Sequence, residues 1–302
     1  MRLIQQTNIN FVGHRRTFFI ISGTVIILSI LSFVLHGGFN YGVDFTGGTL
    51  LQIRFDKPVS TNAVRSAVNA IGEGSASIQQ DEQGDFFIRV RAKEFGNGKE
   101  GFSHRLGKQF KASFAGNNFE LLREETVGPQ ISKELQGKVL LAVLLGIVGI
   151  LIYVTIRFDF RFGIGAVMAL IHDTIITLGF VSMFNKEVTI TLIAAVLTVI
   201  GYSVNDSIVV SDRVREDMRK WRKESFMSVV NTAINRVLNR TVITSITTLF
   251  VTLAFLFLGA ATVKDFAFVL TIGILVGTYS SIFVVANSVV EWETRLPTKR
   301  RR

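Results

Sequence analysis

The segment "GYSVNDSIVVSDRVRE" (Gly201–Glu216) sets an amide and a carboxylate, Asn205 and Asp206, side by side within apolar chain, with "ITLIAAVLTVI" before and "SIVV" after. A carboxylate on a membrane helix costs about 2.5–3.5 kcal/mol at the bilayer centre on insertion scales, so it is expected to face a bundle interior and to handle protons or ions. Asp206 stands six residues before Asp212, which at about 1.5 Å per residue places it roughly 9 Å from the membrane boundary. Tyr202 and Ser203, at i−4 and i−3, share its helical face, and Asn205 and Thr198 form an adjoining stripe. A second polar point is His172 and Asp173, in "ALIHDTIITLG" (Ala169–Gly179). Helix neighbours diverge by about 100°, so these two are not expected to face one narrow seam together. Asp173 is the costlier to bury, and His172 reads equally as an interhelical hydrogen-bonder and as a proton relay.

Arg240 opens a third polar stripe in "NRTVITSITTLF" (Asn239–Phe250), continued by Thr244, Thr247 and Thr248. Its helix is expected to run antiparallel to that of Asp206, which puts both residues in the same third of the membrane. Alone, Arg240 reads as a boundary arginine reaching for headgroups; two polar stripes at matching depth point instead to a working Asp206–Arg240 couple. With the guanidinium close, Asp206 stays ionised; when it withdraws, the desolvated carboxylate takes up a proton. Access from alternate sides makes that cycle a motor, each inward proton being worth about 2.3 kcal/mol per 100 mV. Asp212, Arg213 and Arg215 read as a solvated helix end. No nucleophile–base set or cofactor loop is present, so a conventional enzyme and a bound cofactor are not expected. The absence of cysteine rules out disulfides and thiolate metal sites, and four scattered histidines argue against any metal centre.

These residues need elements to hold them. The 302-residue chain is 48% hydrophobic with a mean hydropathy of +0.41, and its apolar residues fall into six runs: 17–35, 139–156, 162–184, 188–210, 241–261 and 266–290. Each approaches or exceeds the 18–20 residues that span a bilayer, so the reading is a polytopic α-helical membrane protein with six transmembrane helices. The first, in "HRRTFFIISGTVIILSILSFVL", is too long for a signal-peptide core and lacks a following cleavage site, so it is read as an uncleaved span. Very short turns at 157–161, 185–187 and 262–265 pair neighbouring helices antiparallel, and "SFMSVVNTAINRVL" (Ser225–Leu238) is expected as an amphipathic helix along the membrane surface.

The net charge of +10 is not spread evenly. With the amino terminus placed inside, the inside segments hold 18 Lys and Arg against 7 acids, while residues 37–137 hold 12 of each. The excess follows the positive-inside rule and implies anionic lipids rather than nucleic acid as partners. Both termini are then cytoplasmic. The expected division is 1–36 as terminus and first span, 37–137 as an extracytoplasmic domain, 138–290 as the other five helices and 291–302 as a basic tail.

Within 37–137 the pattern changes. "TLLQIRF" (Thr49–Phe55) alternates Leu51, Ile53 and Phe55 on one face; a capped helix follows over 60–72, then strands in "SASIQQ" and "DFFIRVRA", a helix over 98–114 and a strand over 117–127. The order β-α-β-β-α-β predicts a ferredoxin-like α+β ectodomain. In "GVDFTGGTLLQIRF", the glycines invite a phosphate-loop reading, which fails because no Lys-Ser/Thr follows and they open a strand. Gly42, Asp44, Gly47 and Gly48 are read instead as a tight turn from the first helix into the ectodomain, with Asp44 able to cap it.

"GVDFTGGT", "ALIHDTIITLG", "GYSVNDSIVVSDRVRE" and "NRTVITSITTL" together resemble the SecD/SecF family, of the RND superfamily, and in particular its smaller, SecF-type member. The likeness covers essentially the whole chain; the glycine turn alone is shared with SecD relatives. The resemblance implies an RND-type membrane fold in the bacterial inner membrane, with SecD as partner beside the SecYEG channel and YajC as a further candidate. It implies use of the proton-motive force to draw preprotein substrates outward, with Asp206 and Arg240 matching the family's membrane-embedded pair. The carboxyl tail usual in that family is short in this chain, a departure that bears on tail-dependent contacts. Two other readings stay open: half of an RND exporter for lipids or small molecules, and a passive assembly subunit that tolerates replacement of Asp206 and Arg240.

Overall fold

The computed structural model describes residues 7–295 apart from 82, 92–100, 158–159 and 222–223. Among these residues, six helices are long and apolar enough to cross a bilayer. They are α1 (Arg15–Leu35), α5 (Pro129–Arg157), α6 (Phe160–Met183), α7 (Ile190–Lys220), α8 (Phe226–Leu258) and a last span made of α9 (Ala261–Ser280), a π-turn (Ser281–Val285) and α10 (Ala286–Arg295). Half of the apolar window of α6 and of α7, and 56% of that of the last span, is buried, against 6% for α5. The interior of the bundle is therefore built by α6, α7 and α9–α10. The chain divides into two compact units, Tyr41–Leu141 and the residues on either side of it.

Glycines set how closely the inner helices meet. A Cβ on Gly273 of α9 would lie 2.1 Å from Val199 Cγ2 on α7, and one on Gly277 would lie 3.1 Å from Ser203 Cβ. Gly179 of α6 similarly meets Ser29 of α1, at 2.2 Å from its Cβ. Small residues four apart let backbones approach where lipid supplies no hydrophobic drive.

Three sequence expectations change here. The surface helix expected over 225–238 is the first part of α8, continuous with the span. Its apolar face, Val229, Val230, Ala233, Ile234 and Val237, is buried in a cluster with Phe11, Val12, Val210, Val214 and Val290. The segment before α1 is tied to the same helix: Asn231 Oδ1 accepts from the Phe11 and Val12 amides at 2.8 and 3.2 Å, and Asn235 Oδ1 from that of Ile9 at 2.9 Å. The turn expected at 262–265 falls inside α9, whose N-cap is Ala260. Helix also continues through Arg295, into the segment read as a tail; residues 296–302 lie outside the described residues.

In the Tyr41–Leu141 unit, β2 (Gly48–Phe55), α3 (Thr61–Ala70), β3 (Ser77–Gln80), β4 (Phe86–Arg91), α4 (Phe102–Ser113) and β5 (Phe119–Val127) follow one another. The sheet order is β3-β4-β2-β5 with every pairing antiparallel. Each crossover, β2-α3-β3 and β4-α4-β5, therefore skips one strand, which is the interleaved ferredoxin-like arrangement. Ala92 and residues 98–100, expected to end a strand and begin a helix, lie outside the described residues. Leu51 and Ile53 turn into a core with Val64, Val68, Phe86, Ile88, Leu106 and Phe110. The glycine turn precedes β2: Gly42 caps a single helical turn, α2 (Val43–Thr46), and Asp44 lies within that turn rather than capping it. Gly47 and Gly48 adopt φ of 67° and 137°, and a Cβ on Gly48 would strike Val90 O at 2.1 Å, so only glycine fits.

One ion pair pins the sheet. Arg54 grips the buried Asp85 with two bonds, Nε to Oδ1 at 2.6 Å and Nη2 to Oδ2 at 2.8 Å, and Gln52 Nε2 adds a third at 2.9 Å. The hydrogen bond and charge of Asp85 hold the Arg54 pKa above its usual value. Arg54→Ala leaves that carboxylate buried without its cation, and amide exchange in β2 and β4 should quicken on the order of tenfold or more. Unchanged protection would show that the pair does not hold the sheet.

Candidate functional site

Asp206 lies on the buried face of α7, 7% exposed. Its two oxygens are each held by a hydroxyl from another helix: Thr241 Oγ1 of α8 donates to Oδ1 at 2.9 Å, and Ser281 Oγ of the π-turn donates to Oδ2 at 2.6 Å. Three residues earlier on α7, Ser203 Oγ donates to Asp173 of α6, which also accepts from Ser280 Oγ at 2.6 Å. Asp173 and Ser280 are fully buried. Two carboxylates are thus clamped by consecutive serines at the junction of α9 and the π-turn. The wider π-turn reduces the divergence of successive residues below the roughly 100° of an α-helix, which helps neighbouring hydroxyls reach into one interior.

Each serine also has an alternative acceptor on its own helix. Ser280 Oγ lies 3.1 Å from Gly277 O, and Ser281 Oγ 3.0 Å from Thr278 O. A hydroxyl carries one proton, so it can donate to a carboxylate, or turn to the backbone carbonyl when that carboxyl carries its own proton. The clamp can serve both protonation states without stranding a buried donor.

The other polar residues separate into inner and outer sets. His172 joins the inner set: its Nδ1 lies 2.8 Å from Asp173 Oδ1, and it is 4% exposed. The two neighbours do meet in one interior, against the expectation from their 100° divergence, because the carboxylate and the long imidazole reach each other from adjacent Cα atoms. Tyr202 OH donates to Ser245 Oγ of α8 at 3.3 Å, which in turn pairs with Thr278 Oγ1 at 2.6 Å. Asn205 and Thr198 are exposed. So are Arg240, Thr244 and Thr247, and the hydroxyls of Thr244, Thr247 and Thr248 bond carbonyls of their own helix. Arg240 makes no ion pair with Asp206 among the described residues; the carboxylate is held by Thr241 and Ser281. The inner face of α8 is marked by Thr241 and Ser245 instead.

Sequence reasoning passed over Thr241, Ser280 and Ser281. The signal was there in "TYSS" (Thr278–Ser281), four hydroxyl residues in a row within an apolar span. It also passed over Asp217, fully buried near the end of α7 between Arg213 Nε at 3.3 Å and Arg236 Nη1 at 2.9 Å. The ring of Trp221 covers the Arg236 guanidinium at 4.4 Å. The stretch read as a plain helix exit is thus a charged latch between α7 and α8.

Comparison with known proteins places this geometry. Residues 107–295 match the family described as protein export membrane protein SecD/SecF, C-terminal, and residues 33–59 match the SecD/SecF GG motif. The protein translocase subunit SecF of Calditerrivibrio nitroreducens is 42% identical over 290 residues, covering 94% of this chain and 93% of that protein. The SecF subunit of Vibrio alginolyticus is 41% identical over 285 residues, covering 93% and 89%. Among solved structures, the translocon-associated membrane protein SecDF of Thermus thermophilus superposes with a TM-score of 0.88 at 38% identity. That match covers 98% of this chain, which spans 40% of the SecDF chain. A SecDF structure described as the Super-membrane-facing form gives a TM-score of 0.70 at the same identity and coverage.

Proposed function

The chain belongs to the SecD/SecF family, as a SecF-type subunit of the Sec protein-export machinery, and we propose that Asp206 is the group through which it couples proton movement to late translocation and release of preproteins. The observation that carries this is the clamp: among the described residues, a buried carboxylate bound by hydroxyls from two other helices, one of which, Ser281, has a second acceptor on its own helix. A carboxylate so placed is expensive in an apolar span, and residues of this kind mark proton and ion paths. Arg240, one residue before Thr241, supplies the counter-charge from the outer side of α8, and its approach or withdrawal sets whether Asp206 is ionised. Because Thr241 and Ser281 sit on different spans, a change of protonation at Asp206 alters what α7 shares with α8 and with the π-turn. That is how a proton becomes helix movement.

The chain works as a multi-pass protein of the bacterial inner membrane, both termini cytoplasmic and residues 37–137 outside. The segregation of basic residues supports this orientation. SecD is its partner; the SecYEG channel, YajC and anionic lipids complete its surroundings. The exposed Asn205, Arg240 and Thr244 are the polar face such a membrane partner would cover. The test is preprotein release from proteoliposomes holding the chain with SecD and the channel. Collapsing the proton gradient with an ionophore should cut release to the level seen without the chain; equal stimulation with no gradient would contradict the reading.

A further inference from the structure

Proton coupling at Asp206 leaves a second buried carboxylate and a buried imidazole without a role. Asp173 accepts from Nδ1 of His172, from Ser203 and from Ser280. Three converging donors are the surroundings of an ionised carboxylate. Its bond to Nδ1 fixes His172 as the Nδ1–H tautomer and leaves Nε2 with its lone pair. That Nε2 is buried and has no hydrogen-bond partner, and the ring stacks on Tyr279 with centroids 6.0 Å apart and planes inclined by 21°. The dyad as it stands carries one net negative charge inside an apolar span. A proton on Nε2 cancels that charge and turns the 2.8 Å contact into an ion pair.

We propose that His172 and Asp173 form a second proton-binding site of the same machinery, with Nε2 of His172 as the atom that takes the proton and Asp173 as the positioning residue. The proposal rests on the reading that the chain works by proton binding at Asp206. The two sites share their fixtures. Ser203 and Asp206 are three residues apart on α7, and Ser280 and Ser281 adjoin at the π-turn, so a backbone shift there moves both clamps together. With both sites empty, two negative charges stand in one apolar interior; a proton on either weakens the pull on the next. The sites therefore load one after the other, and the coupling acts equally in both directions.

Among the described residues, the charged and titratable groups on the elements packed against α6 leave this dyad without another counter-ion. At its level stand Asp206 of α7 and Tyr279 of α9, whose hydroxyl donates to Phe18 O at 3.0 Å. Arg161, eleven residues before His172 and so roughly 16 Å away along α6, pairs with Glu293 of α10. Arg15 of α1 pairs with Glu291 of α10, Lys186 beyond α6 with Asp265 of α9, and Arg16 of α1 is exposed. On α7 the next charges, Asp212, Arg213 and Arg215, lie six or more residues past Asp206.

Nitrogen-15 NMR of a complex in which this chain alone is histidine-labelled, with its His14, His36 and His104 changed to Gln, isolates the one remaining labelled imidazole. The expected spectrum shows Nδ1 protonated and Nε2 bare at alkaline pH, with Nε2 gaining its proton over a lower range of pH. In release assays His172→Gln should flatten the pH dependence of the gradient-driven rate over the same range. An Nε2–H tautomer, or an imidazole that does not titrate, overturns the proposal without relying on a buried variant that must fold. Asp206→Asn run in parallel separates the two readings. Full gradient-driven release in that variant sinks the role of Asp206 itself, whereas its loss beside an untitrating His172 sinks only the second site.

Discussion

Asp206→Asn removes the gradient-driven part of preprotein release while the complex stays assembled. The substitution keeps the size of the side chain and one acceptor oxygen, so one of the two clamping hydroxyls keeps its bond. The other meets an N–H donor, and a serine or threonine oxygen can accept as well as donate. If Ser281 faces the amide, its proton has Thr278 O, 3.0 Å away, as an alternative acceptor. What disappears is the capacity to bind and release a proton. One proton moving inward is worth about 2.3 kcal/mol per 100 mV, a factor of roughly fifty in an equilibrium. Release rates with a gradient should therefore fall to those without one, and recovery of SecD with the variant should match wild type. A variant that still responds to the gradient would assign the proton to another group.

Gly273→Val is expected to have the largest structural effect of any single substitution in the interior. Even the first carbon of the new side chain would lie 2.1 Å from Val199 Cγ2, with Val199 Cγ1 and Cβ at 2.4 and 2.8 Å behind it. The overlap can be relieved only by moving α9 away from α7, at about 1–3 kcal/mol or more for an overpacked core. Ser280 and Ser281 follow two turns later on the same helix, so the shift loosens both carboxylate clamps at once. A lowered melting temperature together with lost gradient-driven release is the expected result. Gly149→Ala on α5, where nothing lies within 4 Å of the new carbon, should change neither. Equal behaviour of the two variants would show that the α7–α9 approach does not position the site.

The membrane architecture was legible because apolar length is a property of sequence alone, and the six runs correspond to six spanning helices. The ferredoxin-like order was legible because Leu51 and Ile53 alternate in a strand that turns both into the core. The extent of α8 was not: Val229, Val230, Ala233 and Ile234 make the same periodic stripe whether they meet lipid or Phe11 and Val12. The His172–Asp173 pairing was hidden by treating side chains as directions without reach. Asp206 drew notice because a buried carboxylate is costly. Thr241, Ser280 and Ser281 did not, because each comes from another span and hydroxyls bond helix carbonyls so readily that they are cheap anywhere.

The most direct measurement follows the proton on the carboxyl group. Infrared difference spectra of the assembled complex, recorded between neutral and acidic pH, report the carbonyl stretch of each carboxylic acid that forms. A band present in wild type and missing from Asp206→Asn is the predicted result. Identical bands in the two proteins would contradict the assignment of the proton to Asp206.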